Sequence, residues 1–122
     1  MTKTDKKIDK SICQALTIAC ETAKENVSGF KWLTHLVDYN CFPDSLAVIC
    51  IFDTEIALEQ AKQQMKVPLI ISLIKTELEQ KNIKLKNMDR QVLFDTEESC
   101  FAEHKGNWRR RFELFDLPKK GA

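Results

Sequence analysis

The chain has 122 residues, of which 43% are hydrophobic, and it carries a net charge of +1 from 19 basic and 18 acidic side chains. This length and hydrophobic content suit one domain with an ordinary core, which does not need a metal or disulfides to be stable. The near-zero charge excludes a strong overall field that would draw the whole protein to nucleic acid or to an anionic membrane. We therefore expect a single domain over residues 1–122, with residues 1–4 and 117–122 frayed at its ends.

Cysteine usage and the apolar runs indicate the compartment. The five cysteines are odd in number and irregularly spaced, so they do not resemble a disulfide framework. Residues 1–10 are polar and lysine-rich, unlike a secretory signal peptide. The longest apolar run, Val67–Ile74, is interrupted and far shorter than a membrane span. The sequence predicts a cytoplasmic protein that does not enter the membrane.

Hydrophobic periodicity predicts a mixture of helices and strands. Apolar residues at three- and four-residue steps indicate amphipathic helices. The run Leu46–Phe52 is apolar without alternation, which is typical of a central strand covered on both faces. The predicted elements are a helix capped by Thr4 or Asp5 and ended by Ser28-Gly29, a strand over Phe30–Tyr39, a turn, a strand over Leu46–Phe52, a helix from Glu55 to about Met65, a helix with Pro68 in its first turn, a strand over Val92–Phe94 and a helix from Asp95 to Gly106.

This order, α-β-β-α-α-β-α, defines the fold class that we predict. The first two strands form a hairpin, and the helical connection between the second and third strands makes those two parallel. The expected architecture is an α/β (α+β) domain in which helices flank a small three-stranded mixed sheet.

The tetrapeptide Phe-Asp-Thr-Glu occurs at 52–55 and again at 94–97, each time where an apolar run gives way to a polar one. In the simpler interpretation, these residues cap the helices that follow, with Glu98 as a capping-box partner of the second copy. In the alternative, Asp53, Asp95 and Glu97 meet beyond the ends of parallel strands and hold Mg²⁺ for phosphoryl chemistry. No glycine-rich phosphate loop accompanies them, and we favour the caps.

A second candidate site is the basic-aromatic segment Lys105–Phe112. Adjacent arginines could bind a phosphate backbone or an acidic protein while an aromatic ring stacks on a base. Equally, the aromatic residues could anchor the segment to the core while the arginines form a solvated face. The predicted binding residues are Lys105, Trp108, Arg109, Arg110 and Arg111 of this segment, with Lys84, Lys86 and Arg90 of the preceding connector.

The cysteine and histidine residues give weaker indications of a metal site or a catalytic site. Cys100 and His104 lie one helical turn apart, but the chain has no Cys-x-x-Cys pair. Cys41 in the turn and His35 on the preceding strand lack an orienting third group for catalysis. We expect no cofactor. The strand containing His35 could lie at the sheet edge and pair with a second copy of the protein.

Two stretches resemble a family of short uncharacterised proteins from gammaproteobacteria. The first runs from Gly29 to Tyr39 (GFKWLTHLVDY) and continues through Phe42–Leu46 and 52–54; the second is Val92–Cys100, followed by Gly106-Asn107-Trp108. The resemblance covers most of the chain and implies no established activity. Some members are labelled Fis-type transcriptional regulators, which implies DNA as a candidate ligand. A Fis-like chain would place a helix-turn-helix in its last residues, about fifty in number, where this sequence instead predicts a strand.

These observations lead to one functional prediction and two alternatives. The prediction is a non-enzymatic cytosolic binding or regulatory module that contacts nucleic acid or an acidic protein through the basic-aromatic segment. The first alternative is a Mg²⁺-dependent phosphodiester or phosphate hydrolase that uses the carboxylates at the strand ends. The second is a structural module that forms a homodimer through the hairpin edge.

Overall fold

The computed structural model describes residues 2–115, and the fraying predicted for residues 117–122 lies outside this range. The chain forms a single small domain, and the predicted fold class and element order are confirmed, with two short helices added to them. The described elements are α1 (Lys3–Asn26), β1 (Phe30–Leu36), a 3-10 turn (Tyr39–Cys41), β2 (Ala47–Phe52), α2 (Glu55–Gln63), α3 (Lys66–Gln80), α4 (Met88–Gln91), β3 (Val92–Thr96), α5 (Glu97–His104) and α6 (Trp108–Phe112).

The first helix begins earlier than its sequence indicates. Thr2 is its N-cap: the hydroxyl accepts the Asp5 N–H at 3.0 Å, and the Asp5 carboxylate accepts the Thr2 N–H at 3.3 Å. The predicted cap at Thr4 or Asp5 is therefore wrong, because Asp5 acts as the second member of a capping box. None of the described helices is long and apolar enough to cross a membrane.

The sheet has the order β1-β2-β3, with β1 antiparallel and β3 parallel to the central strand, as predicted. Every residue of β2 is buried. Successive side chains of a strand point to opposite faces, and Val48, Cys50 and Phe52 belong to the main core. That core also contains residues of α1 and α3, namely Ile12, Ala15, Leu16, Ala19, Ala23, Ile70, Ile74 and Leu78.

Helix α6 contacts the opposite face of the sheet through an aromatic pair and an ion pair. Ile51 of β2 pairs with Trp32 on β1 and with Asp95 on β3, so these three side chains share one face. The Trp32 ring meets the Trp108 ring edge-on, with centroids 5.0 Å apart. Helix α6 therefore packs over the face that α1 and α3 leave open.

Gln91 joins the short helix α4 to the turn before β2. The side chain is 2% exposed, and its amide donates to the carbonyls of Pro43 at 2.9 Å and Leu46 at 3.0 Å. Its carbonyl oxygen accepts the Asn87 N–H at 2.9 Å. The basic connector that precedes β3 thus ends in a helical turn that the buried amide holds in place.

Candidate functional site

The basic-aromatic segment folds as α6, and this helix has two unlike faces. Trp108, Arg111 and Phe112 have the three- and four-residue spacing of one helix face, and all three are partly buried. Arg109 and Arg110 lie between them in the sequence and are exposed. The structure therefore separates the three predicted arginines into one inward and two outward side chains.

Arg111 is tied to the sheet through Asp95. Its Nε lies 2.5 Å from Asp95 Oδ2 and its Nη2 lies 2.9 Å from Asp95 Oδ1, which is a bidentate ion pair. The Arg111 Nη1 atom also contacts Glu103 Oε2 at 2.9 Å and the Ser99 carbonyl oxygen at 3.3 Å. Since Arg111 and Asp95 are only 11% and 8% exposed, this pair anchors α6 and leaves neither residue open to a ligand.

The electrostatics of the pair agree with a structural role. The hydrogen bond to Asp95 raises the pKa of Arg111 above its ordinary value and outweighs the opposing effect of burial. Two partly buried charges that satisfy each other stabilise a single position of the helix. The sequence predicted Arg111 as a binding residue. In the structure it instead attaches α6 to β3 through Asp95.

The outward basic residues keep their charges in water. Arg110 is 66% exposed, and its Nη1 lies 3.8 Å from Glu113 in a surface ion pair. Arg109 is exposed on the same helix. Lys105, also exposed, has a positive φ of 53° and occupies the turn that joins α5 to α6. We call Lys105, Arg109 and Arg110 the basic face.

The aromatic side chains of the segment pack within the molecule. Besides its contact with Trp32, the Trp108 ring lies 5.4 Å from the Phe112 ring, which in turn lies 5.8 Å from Phe115. Edge-on and tilted contacts at these centroid distances are those of packed aromatic pairs. The rings anchor α6, so stacking on a nucleic-acid base would compete with this packing.

The connector residues divide between two places. Arg90 lines a groove of about 460 Å³ whose walls include Phe94, Leu114 and Phe115, so it lies beside the end of the C-terminal segment. Lys86 is exposed and lies 3.9 Å from Asp44, next to the hairpin turn. Lys84 is exposed. Of these three residues, only Arg90 shares a groove with residues that follow α6, namely Leu114 and Phe115.

The two Phe-Asp-Thr-Glu copies lie at the ends of neighbouring parallel strands, as predicted, but they are out of step in the sheet. Phe52 pairs with Thr96, so the second copy is displaced by two residues relative to the first. Asp53 follows β2 and accepts the N–H of Thr54 at 2.7 Å. Asp95 lies within β3 and not at a helix start, which corrects the predicted beginning of the following helix.

The N-termini of α2 and α5 cap each other. Thr54 and Thr96 are the N-caps, and their hydroxyls accept N–H groups of their own helices. The Glu98 carboxylate accepts the Glu55 N–H at 2.8 Å. Glu98 was predicted to cap its own helix, α5, but it caps α2. In return, Glu55 Oε1 accepts the hydroxyls of Thr96, at 2.8 Å, and of Ser99.

These hydrogen bonds explain the acidic residues at this edge of the sheet. The Ser99 hydroxyl, followed by that of Thr96, lowers the pKa of Glu55 and holds the side chain in its charged form. Glu97 is exposed in the first turn of α5, where a negative charge suits the helix dipole. Among the described residues, no group at this edge brings three metal-ligand atoms within 4.8 Å of one another. The geometry favours caps over the Mg²⁺ alternative.

Strand β1 lies at an edge of the sheet, as the dimer alternative requires. The register shifts between Phe30 and Trp32, a bulge that leaves Lys31 exposed on this edge. Bulges and lysines are features that discourage pairing between sheet edges. The homodimer remains a prediction that light scattering at several concentrations would test.

Comparison with known protein families, curated proteins and solved structures gives no match. The resemblance to the gammaproteobacterial family, and the DNA ligand that it implies, therefore stay predictions. What the protein does has to be inferred from its own surface.

Proposed function

We propose that the protein is a non-enzymatic binding module that engages an acidic segment of another protein through the basic face. The observation that supports this most directly is the division of α6. Its inner face is fixed by the Arg111–Asp95 ion pair, while Arg109 and Arg110 project into water from the same five-residue helix. Two exposed arginines on a helix that is fixed through its other face are suited to bidentate contacts with carboxylates.

An acidic protein fits this surface better than nucleic acid does. The aromatic rings Trp108 and Phe112 are engaged in intramolecular packing, so a base that stacked on either ring would have to displace a contact within the protein. Glu113 lies 3.8 Å from Arg110 and interrupts the positive charge of the basic face, which an uninterrupted row of phosphates would have to cross. The net charge of +1 adds no general attraction for DNA.

We place the module in the cytoplasm. Cys50 and Cys100 are fully buried, and burial raises the pKa of each thiol, so they pack as small apolar side chains that stay protonated. None of the five cysteines, all of which lie within residues 2–115, forms a disulfide. Reduced thiols of this kind suit a reducing compartment.

The test measures binding of a fluorescein-labelled poly-glutamate peptide to the purified protein by anisotropy. The variant R109E/R110E should weaken binding at least about tenfold, since it turns two attractive contacts into repulsive ones. The matched control K62E/K75E reverses two exposed lysines on α2 and α3 and should change the Kd by less than about twofold. Rising salt should weaken binding by the wild-type protein.

Two results would contradict the proposal. One is that R109E/R110E and K62E/K75E weaken peptide binding equally, which would show that binding depends on the net charge of the protein and not on the basic face. The other is tighter binding of an unlabelled DNA duplex than of the peptide, with loss in R109E/R110E, which would assign the same face to nucleic acid.

A further inference from the structure

Three side chains with metal-binding atoms meet between α1 and β1, far along the chain from the basic face. Asp9 and Cys13 are four residues apart on α1 and lie on the same side of the helix. His35 lies on β1 opposite Val48, a residue of the core that packs against α1. The Asp9 carboxylate, the Cys13 sulfur and a His35 ring nitrogen all lie within 4.8 Å of one another.

Each oxygen of the Asp9 carboxylate faces one of the other two donors, and these two separations can be compared with those of a tetrahedral zinc site. His35 Nε2 lies 3.2 Å from Asp9 Oδ1, and Cys13 Sγ lies 4.0 Å from Asp9 Oδ2. Ordinary zinc bond lengths at a tetrahedral angle imply separations of about 3.3 Å between nitrogen and oxygen and about 3.5 Å between sulfur and oxygen. Small rotations of the side chains would bring all three donors onto one ion.

Tyr39 orients the carboxylate from outside the cluster. Its hydroxyl donates to Asp9 Oδ1 at 2.5 Å, the same oxygen that contacts His35, so Oδ2 remains directed toward Cys13. Metal-binding carboxylates are commonly held by such outer hydrogen bonds.

A purely structural role would account for Asp9, His35 and Tyr39, which together fasten β1 to α1. It gives no role to Cys13, whose side chain is exposed and lies beside the carboxylate. Cys13 and His35 also line a groove of about 400 Å³, together with Cys20, Leu33 and Thr34. The groove provides space for a fourth ligand next to the three protein donors.

We propose that Asp9, Cys13 and His35 form a binding site for a divalent transition-metal ion of the zinc class, coordinated through a carboxylate oxygen, the thiolate sulfur and an imidazole nitrogen. On binding, the Cys13 thiol releases its proton to solvent, and the metal ion takes the place of that proton on the sulfur. The mixed sulfur, nitrogen and oxygen donors suit Zn²⁺ and Co²⁺ better than Mg²⁺ or Ca²⁺. Water or a ligand in the groove completes the tetrahedron.

The experiment titrates the full-length, metal-free protein with Co²⁺ and records its absorption spectrum. The site predicts one Co²⁺ per chain, with the visible bands of tetrahedral cobalt and a near-ultraviolet thiolate-to-cobalt band, all of which Zn²⁺ displaces. Cys13→Ser should abolish the thiolate band while leaving the circular dichroism spectrum unchanged, because Cys13 is exposed. Cys41→Ser, which alters the thiol of the hairpin turn, is the matched control and should keep the band.

Two further variants separate binding from folding. Tyr39→Phe retains the ring and removes the hydroxyl that orients Asp9, so it should weaken Co²⁺ binding by about tenfold or more. His35→Gln should weaken binding at least as much in protein that remains folded. Folded wild-type protein without a thiolate band, or a band that persists in Cys13→Ser, would overturn the proposal. These results would leave the acidic-protein proposal untouched, because the two sites share no residue.

Discussion

At the scale of single residues, Gly29 shows how one backbone position sets the path of the chain. It has a φ of +86° between α1 and β1, and its carbonyl accepts the Asp53 N–H at 2.9 Å. A Cβ atom at this position would lie 2.5 Å from Ala57 Cβ and 3.0 Å from Asp53 Oδ1. Gly29 therefore supplies both a left-handed conformation and close contact with the start of α2.

Gly106 provides a matched control, because it has a φ of +82° but nothing within 4 Å of the position that a Cβ would take. We predict that Gly106→Ala lowers the free energy of unfolding by about 1–2 kcal/mol, from backbone strain alone. Gly29→Ala adds steric overlap and should cost roughly 2–5 kcal/mol in total. Urea denaturation of both variants measures the difference. Equal losses of unfolding free energy would show that Ala57 moves away from the added Cβ atom without destabilising the fold.

At the scale of elements, the reciprocal caps of α2 and α5 are the main feature of the sheet's carboxyl edge. Thr54 and Thr96 cap their own helices, whereas Glu55 and Glu98 reach across to the neighbouring helix. The negative charges lie where two helix dipoles are positive, which stabilises both N-termini. The carboxyl edge of the sheet, which the sequence suggested as a metal site, is therefore the place where α2 and α5 are hydrogen-bonded to each other.

Glu55 makes this joint sensitive to pH. Its folded-state pKa lies below the unfolded value, so its stabilisation is fully present above the unfolded pKa of about 4.3 and is lost as the pH falls through the folded pKa. We predict that Glu55→Gln lowers stability at pH 7 by roughly 0.5–1 kcal/mol. It should also flatten the decline in stability below about pH 5.

Urea denaturation at a series of pH values measures this effect. Glu59→Gln removes one charge at an exposed position of the same helix and serves as the control. If the two variants flatten the pH dependence equally, the cross-helix hydrogen bonds do not stabilise the fold.

The long elements could be predicted from the sequence because each carries its own periodic pattern or apolar run. The strand-to-helix junction at Thr54 was also predictable, since a threonine close after an apolar run is a local capping signal. The second junction was predicted at Asp95, two residues before the helix actually begins at Glu97. Helices α4 and α6 were missed because four or five residues are too few to establish a period. The target of Glu98 could not be predicted, because it depends on the two-residue displacement between the strands.

The candidate site was predictable only in outline. Its basic composition is visible in the sequence, and the spacing of Trp108 and Phe112, one helical turn apart, indicated a possible contact with the core. The partner of Arg111 is Asp95, sixteen residues earlier, and only the packing of α6 over the sheet brings the two together. The Asp9–Cys13–His35 cluster was likewise hidden, because His35 reaches α1 only once β1 lies against it.

At the scale of the whole molecule, a sheet whose central strand is buried throughout needs cover on both faces. Helices α1 and α3 cover one face with an ordinary apolar core. The other face is closed by α6, a helix of five residues that is too short to hold its position by helix propensity. The Arg111–Asp95 ion pair and the Trp32–Trp108 contact supply that attachment, and the exposed basic face depends on it.

The division of α6 into an attached and a free face can be tested by comparing two variants in urea denaturation. Arg111→Ala leaves Asp95 charged and buried without its partner, and we predict a loss of about 3–5 kcal/mol in the free energy of unfolding. The double variant R109A/R110A removes two exposed charges and should change it by less than about 1 kcal/mol. Losses of equal size in the two variants, or a larger loss in R109A/R110A, would contradict the account.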